Sequence, residues 1–73
     1  MREALKKARL AKGLSIEEIA EKIGVTPSVF YKWEDGTRDP LMKNARKVAE
    51  ILETNVEELF FNNKLDKTSS EVA

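Results

Sequence analysis

Between Ser15 and Gly36 the chain marks where helices begin and end, and this constrains the fold more tightly than any other stretch. Ser15 is followed three residues later by Glu18, the spacing of a capping box in which each side chain satisfies the other's backbone N–H. Ile16, Ile19, Ala20 and Ile23 then recur at the period of one helical face. Gly24 ends that run. Thr26 and Pro27 start another: threonine is a good N-cap, and proline at the first helical position loses no hydrogen bond. Phe30 and Trp33 supply the buried face of the second run, and Asp35-Gly36 is a turn. The spacing predicts two short helices joined by a tight turn at Gly24.

The flanking sequence reads as support for this pair. A first helix is expected from about Arg2 to Lys12, with Leu5, Ala8 and Arg9 on one face and Gly13 as its stop. Asp39 is expected to cap a fourth helix that has Pro40 at its first position and Met42, Ala45, Val48, Ala49 and Leu52 on its core face. Thr54-Asn55 breaks the chain, and Val56 to Phe60 forms a last short helix. No strand alternation and no internal repeat is evident. Residues 1–61 are therefore expected to form one all-α domain. Residues 62–73 have little to bury and are expected to remain a flexible tail.

Composition excludes several kinds of chemistry. The chain has no cysteine and no histidine, which removes thiolate metal sites, disulfides and the commonest general base. No nucleophile–base pair is visible, so no enzyme, metal site or cofactor is expected. The glutamates at 17, 18 and 21, and at 57 and 58, fit solvent-facing helix surfaces. No apolar run approaches a membrane span and no signal peptide opens the chain, so a soluble cytoplasmic protein without a small-molecule ligand is expected. Net charge is zero, yet the charges are segregated. Arg2, Lys6, Lys7, Arg9 and Lys12 stand against Glu3 at the start, while Glu53, Glu57 and Glu58 gather near the end.

If Phe30 and Trp33 point inward, Pro27, Ser28, Tyr31 and Lys32 must point outward, with Ser28 and Lys32 four apart on one face. Serine can bond a base edge or a phosphate, lysine can reach guanine O6/N7, and tyrosine can bond a phosphate or pack on a thymine methyl. Two helices in this arrangement are what a helix-turn-helix uses to place one of them in a DNA groove. The positive end of a helix dipole attracts phosphate. Ser15 opens the second helix, and Arg38, Lys43 and Asn44 lie near the start of the fourth. Asp39 there reads as a cap rather than a contact, and Arg46 and Lys47 as plain surface. Arg9 and Glu34 each fall on a core-like face and are expected to pair, tying the first helix to the end of the third.

Arg9-x-x-x-Gly13-Leu14-Ser15, Ile19-Ala20, Ile23-Gly24-Val25-Thr26, Phe30, Trp33-Glu34-x-Gly36 and Pro40 together resemble the phage-repressor/Cro-like, or XRE-type, helix-turn-helix family. Leu52 to Phe60 resembles that family's fifth helix, and the likeness covers about residues 4–61. It implies an all-α five-helix bundle of the lambda-repressor-like DNA-binding type, with helices two and three as the helix-turn-helix. It also implies binding to double-stranded operator DNA, usually as a homodimer. The family's base-reading positions fall on Pro27, Ser28 and Lys32, with Tyr31 nearby. Its phosphate positions fall near Ser15, Thr26, Lys43 and Asn44. Many members carry glutamine where this chain has Ile16.

The expected function is a DNA-binding transcriptional regulator, a repressor, reading a palindromic operator as a dimer. Ile51 and Phe61, with the fifth helix, form the expected dimer patch. An alternative is a helix-turn-helix protein-interaction module, antitoxin-like or partner-binding, which zero net charge, Ile16 and Pro27 would fit. A purely structural bundle is a third reading.

Overall fold

The computed structural model describes residues 2–61. The stretch 62–73, expected above to be a flexible tail, lies outside them. Among the described residues the elements are all helical: α1 (Glu3–Ala11), α2 (Ile16–Ile23), α3 (Pro27–Asp35), α4 (Met42–Ile51) and a short α5 (Glu57–Phe61) wound in π register.

The local signals become hydrogen bonds. Ser15 Oγ accepts from Glu18 N at 3.0 Å and Glu18 Oε1 accepts from Ser15 N at 2.8 Å, completing the capping box of α2. Thr26 Oγ1 accepts from Val29 N at 3.3 Å, and Pro27 occupies the first position of α3. Gly24 has φ of 94°, and the N–H groups of Gly24 and Val25 both return to Ala20 O, at 2.8 and 3.0 Å. A Cβ at Gly24 would meet nothing within 4 Å. The left-handed backbone, not lack of space, is what calls for glycine in this turn.

The start of α4 differs from expectation. Asp39 and Pro40 lie before the helix, Leu41 occupies the N-cap position, and no side chain caps it. The carboxylate of Asp39 is drawn instead to the guanidinium of Arg2. Met42, expected on the core face, is 49% exposed: it is the first residue of α4, and Ala45, one turn on, is the first of that helix to be buried in the core. At the other end, Asn55 Oδ1 caps α5 by accepting from Glu58 N at 2.8 Å. The C-terminus of α4 closes as a Schellman turn, with Glu53 N bonded to Glu50 O and Thr54 N to Ala49 O. Its left-handed residue is Glu53, at φ 58°, where glycine would be usual.

The core draws on every helix: Leu5 from α1, Ile19 and Ile23 from α2, Phe30 and Trp33 from α3, Val48 and Leu52 from α4 and its end, and Leu59 and Phe60 from α5. Phe30 is wholly buried and meets Trp33 edge-on, with ring centroids 5.7 Å apart. α2 packs on α3 and α4, and α1 packs on α3 and α5. The helix-turn-helix is thus held from behind, and the outer face of α3 has no part in the core.

Candidate nucleic-acid interface

The inner residues of α3 decide what its outer face presents. Phe30, Trp33 and Glu34 are buried. Pro27, Ser28, Tyr31 and Lys32 are all exposed, Tyr31 to 48%. About half of that residue's surface is open to solvent, and Tyr31 is not among the residues packed in the core. Asp35 lies one heptad beyond Ser28 and would place an acid in the same row. Its Oδ1 is engaged by Thr37, accepting from the backbone N at 2.8 Å and from Oγ1 at 2.7 Å. These bonds hold the carboxyl below its ordinary value, so it stays ionised and turned back into the loop.

The flanking polar groups have mixed duties. The hydroxyl oxygens of Ser15 and Thr26 accept from their own helices, and each O–H is left to donate outward. Glu18 is held below its ordinary value first by the Ser15 backbone N–H and then by the Ser15 hydroxyl bond. Arg38 and Lys43 are exposed, and Asn44 is half-buried. Ile16, at the first position of α2, is partly buried against the core and brings no polar group to this surface.

Two arginines of the N-terminal segment set the position of α3. Arg9 Nε donates to Glu34 Oε2 at 2.8 Å and Arg9 Nη2 to Glu34 Oε1 at 3.2 Å, with side chains 8% and 3% exposed. Arg9 Nη1 also donates to Leu14 O at 2.8 Å, which ties the pair to the start of the helix-turn-helix. Arg2 is the second, and no sequence pattern singles it out for this role. Its backbone N donates to Glu34 O at 2.8 Å, and its Nη1 donates to Trp33 O at 2.6 Å and Arg38 O at 3.2 Å. The same guanidinium pairs with Asp39 and lies 5.4 Å from the centroid of the Phe60 ring. The Arg2 guanidinium thereby meets the carbonyl end of α3, where the helix dipole is negative. No local spacing could reveal this, since the hydrogen-bond partners of Arg2 lie 31 to 37 residues away and Phe60 farther still.

Ile51 and Phe61 have different surroundings. Ile51 is half-buried against the core, so part of its surface is already used, whereas Phe61 is 58% exposed. Among the described residues there is no group of three or more acidic, histidine or cysteine side chains able to hold a metal ion. No described helix is long and apolar enough to cross a membrane.

A family model described as helix-turn-helix matches residues 5–59. The chain is 32% identical over 60 residues to an uncharacterized HTH-type transcriptional regulator of Archaeoglobus fulgidus, covering 82% of this chain and 86% of that protein. It is 33% identical over 60 residues to another from Methanocaldococcus jannaschii, covering 82% of this chain and 91% of the relative. A third, from Bacillus subtilis, is 30% identical over 71 residues, covering 97% of this chain and 61% of the relative, so that protein extends well beyond the shared region. No solved structure matches the chain at a comparable level of significance.

Proposed function

The chain belongs to the XRE-type helix-turn-helix family of DNA-binding transcriptional regulators, and we propose that it is a cytoplasmic repressor that occupies a palindromic operator as a homodimer. The observation that carries this reading is the outer face of α3, which presents Ser28, Tyr31 and Lys32 to solvent while every inward residue of that helix serves packing or pairing.

In this reading α3 enters the major groove N-terminus first. Ser28 bonds a base edge, Lys32 reaches guanine O6/N7, and Tyr31 packs on a thymine methyl or bonds a phosphate. Pro27 meets the bases by shape alone, having no N–H. Ser15, Thr26, Arg38, Lys43 and Asn44 bond phosphates and fix the register. Because Ile16 gives no polar contact, the N-terminus of α2 relies on Ser15 and its own backbone N–H groups. One domain buries little DNA surface, and a second copy one helical turn away, roughly 34 Å, doubles the phosphate contacts. Phe61, with the exposed part of Ile51, forms the dimer patch.

Selection of bound sequences from a random DNA pool tests this directly. The expected result is an enriched palindrome whose affinity falls steeply between low and moderate salt, as phosphate contacts require. Absence of enrichment even at low salt would sink the proposal and favour the protein-interaction reading, which Ile16 and Pro27 fit.

A further inference from the structure

We propose that Arg2 and Asp39 form an electrostatic clasp that lets the loop between α3 and α4 approach DNA phosphate. This rests on the DNA-binding reading above and adds a positioning residue and its partner. Asp39 sits between Arg38 and Lys43, the two exposed cations assigned to phosphate, and its side chain is 78% exposed. Left alone, it would hold an unopposed negative charge where the loop must meet a polyanion. The Arg2 side chain, only 18% exposed, reaches Asp39 from behind.

The anchoring of Arg2 is what makes it a built feature rather than a surface ion pair. Its guanidinium bonds Trp33 O at the end of the recognition helix and Arg38 O within the loop, and it lies over the ring of Phe60. Its backbone N bonds Glu34 O. The charge that offsets Asp39 is therefore fixed in space, and Arg38 is held by its own carbonyl to the same group. An ion pair this exposed contributes little to stability. Its consequence lies in the field that the incoming phosphates meet.

The proposal separates Arg2 acting through Asp39 from Arg2 acting as a structural tie. DNA affinity and its salt dependence would be measured on the selected operator for the wild type, Arg2→Gln, Asp39→Asn and the double variant, with circular dichroism confirming that each is folded. Arg2→Gln should weaken binding by about three- to tenfold at low salt, the scale of one uncompensated charge near phosphate. Asp39→Asn alone, at an exposed site, should bind at least as well as the wild type. The double variant should recover most of the affinity lost in Arg2→Gln. If the double variant is folded and binds as weakly as Arg2→Gln, or if Arg2→Gln binds like the wild type, the clasp is wrong. If Arg2→Gln does not fold, Asp39→Asn decides alone: weaker binding than wild type overturns the clasp, and equal or tighter binding supports it. Failure of the wild type itself to bind any DNA would defeat the DNA-binding reading and the clasp with it, whereas wild-type binding without rescue by Asp39→Asn defeats the clasp alone.

Discussion

Arg9 and Glu34 meet by two parallel hydrogen bonds, 2.8 and 3.2 Å long, in a place almost closed to water. The pair joins α1 to the end of α3, and the third Arg9 bond, to Leu14 O, joins it to the start of α2. Both elements of the helix-turn-helix are indexed against one side chain. Burying two charges is costly, and the bidentate geometry repays that cost only while both partners are present.

Truncating either partner should therefore be far worse than removing both. Glu34→Ala leaves a buried guanidinium without its carboxylate, and a loss of about 3–5 kcal/mol is expected. A domain of this size has a total stability of about 3–9 kcal/mol, so the single variant should lose at least about a third of it. Arg9→Met combined with Glu34→Leu should regain most of the loss. Urea denaturation of the wild type and both variants checks this, and a Glu34→Ala protein as stable as the wild type would show that the pair carries no structural weight.

Acid should loosen the helix ends, and the sign follows from two lowered carboxyls. Glu18 is held below its ordinary 4.5 and Asp35 below its ordinary 3.8, each by hydrogen bonds that exist only in the folded chain. A depressed folded value means that the stabilisation is complete above the ordinary value and is lost as pH falls through the lower, folded one. Stability should thus decline on acidification through and below that range. Glu18→Gln with Asp35→Asn should flatten the decline, since glutamine preserves the capping-box geometry without titrating. Denaturation midpoints at neutral and at strongly acidic pH provide the comparison, and parallel declines for wild type and double variant would count against this origin.

Glu53 marks a site where the backbone and the residue disagree. It ends α4 in the left-handed region, at φ 58°, and its carboxylate lies 2.9 Å from Lys12 Nζ. Glycine or asparagine suits that conformation better, while the exposed ion pair contributes little. Glu53→Gly should raise stability by about 0.5–1 kcal/mol, a rise in Tm of a few degrees. A lower Tm would mean that the Lys12 contact outweighs the backbone strain.

What can be read from sequence and what cannot divide by distance along the chain. The capping box at Ser15, the cap at Thr26, the turn at Gly24 and the inward Phe30 and Trp33 depend on neighbours within four residues, so spacing reveals them. The pairing of Arg9 with Glu34 is legible through a different signal, charge on two faces otherwise apolar. The start of α4 departs from expectation because Asp39-Pro40 has the local look of a cap. A residue 37 positions earlier takes that carboxylate, and the helix begins uncapped at Met42. Arg2 itself gives no sign, for its partners are mostly backbone carbonyls that no sequence pattern reports. On the outer face of α3, Ser28, Tyr31 and Lys32 are exposed as the inward Phe30 and Trp33 imply, while whether they meet bases depends on a molecule the sequence does not contain.

Ser28→Ala with Lys32→Ala should leave the fold intact, because neither side chain touches the core, yet remove preference for the selected operator. Each lost base contact is worth about 1–3 kcal/mol of discrimination. Lys43→Ala should behave differently. It should weaken binding to all sequences alike and reduce the salt slope by about 1. Equally selective binding by the first variant would mean that another surface reads the bases.

Dimerisation can be separated from groove reading at Phe61, which is exposed and lies at the end of α5, away from α3 in sequence. Replacing it with serine removes apolar surface from the proposed patch without opening a cavity, so Tm measured on a dilute sample should change little. Sedimentation should then show a shift toward monomer, and binding to a full palindrome should fall toward that of an isolated half-site while the half-site affinity holds. Ile51 is a poorer handle, since it is half-buried against the core and its truncation would also cost packing. If Phe61→Ser sediments like the wild type and keeps full operator affinity, the proposed patch is not a dimer surface.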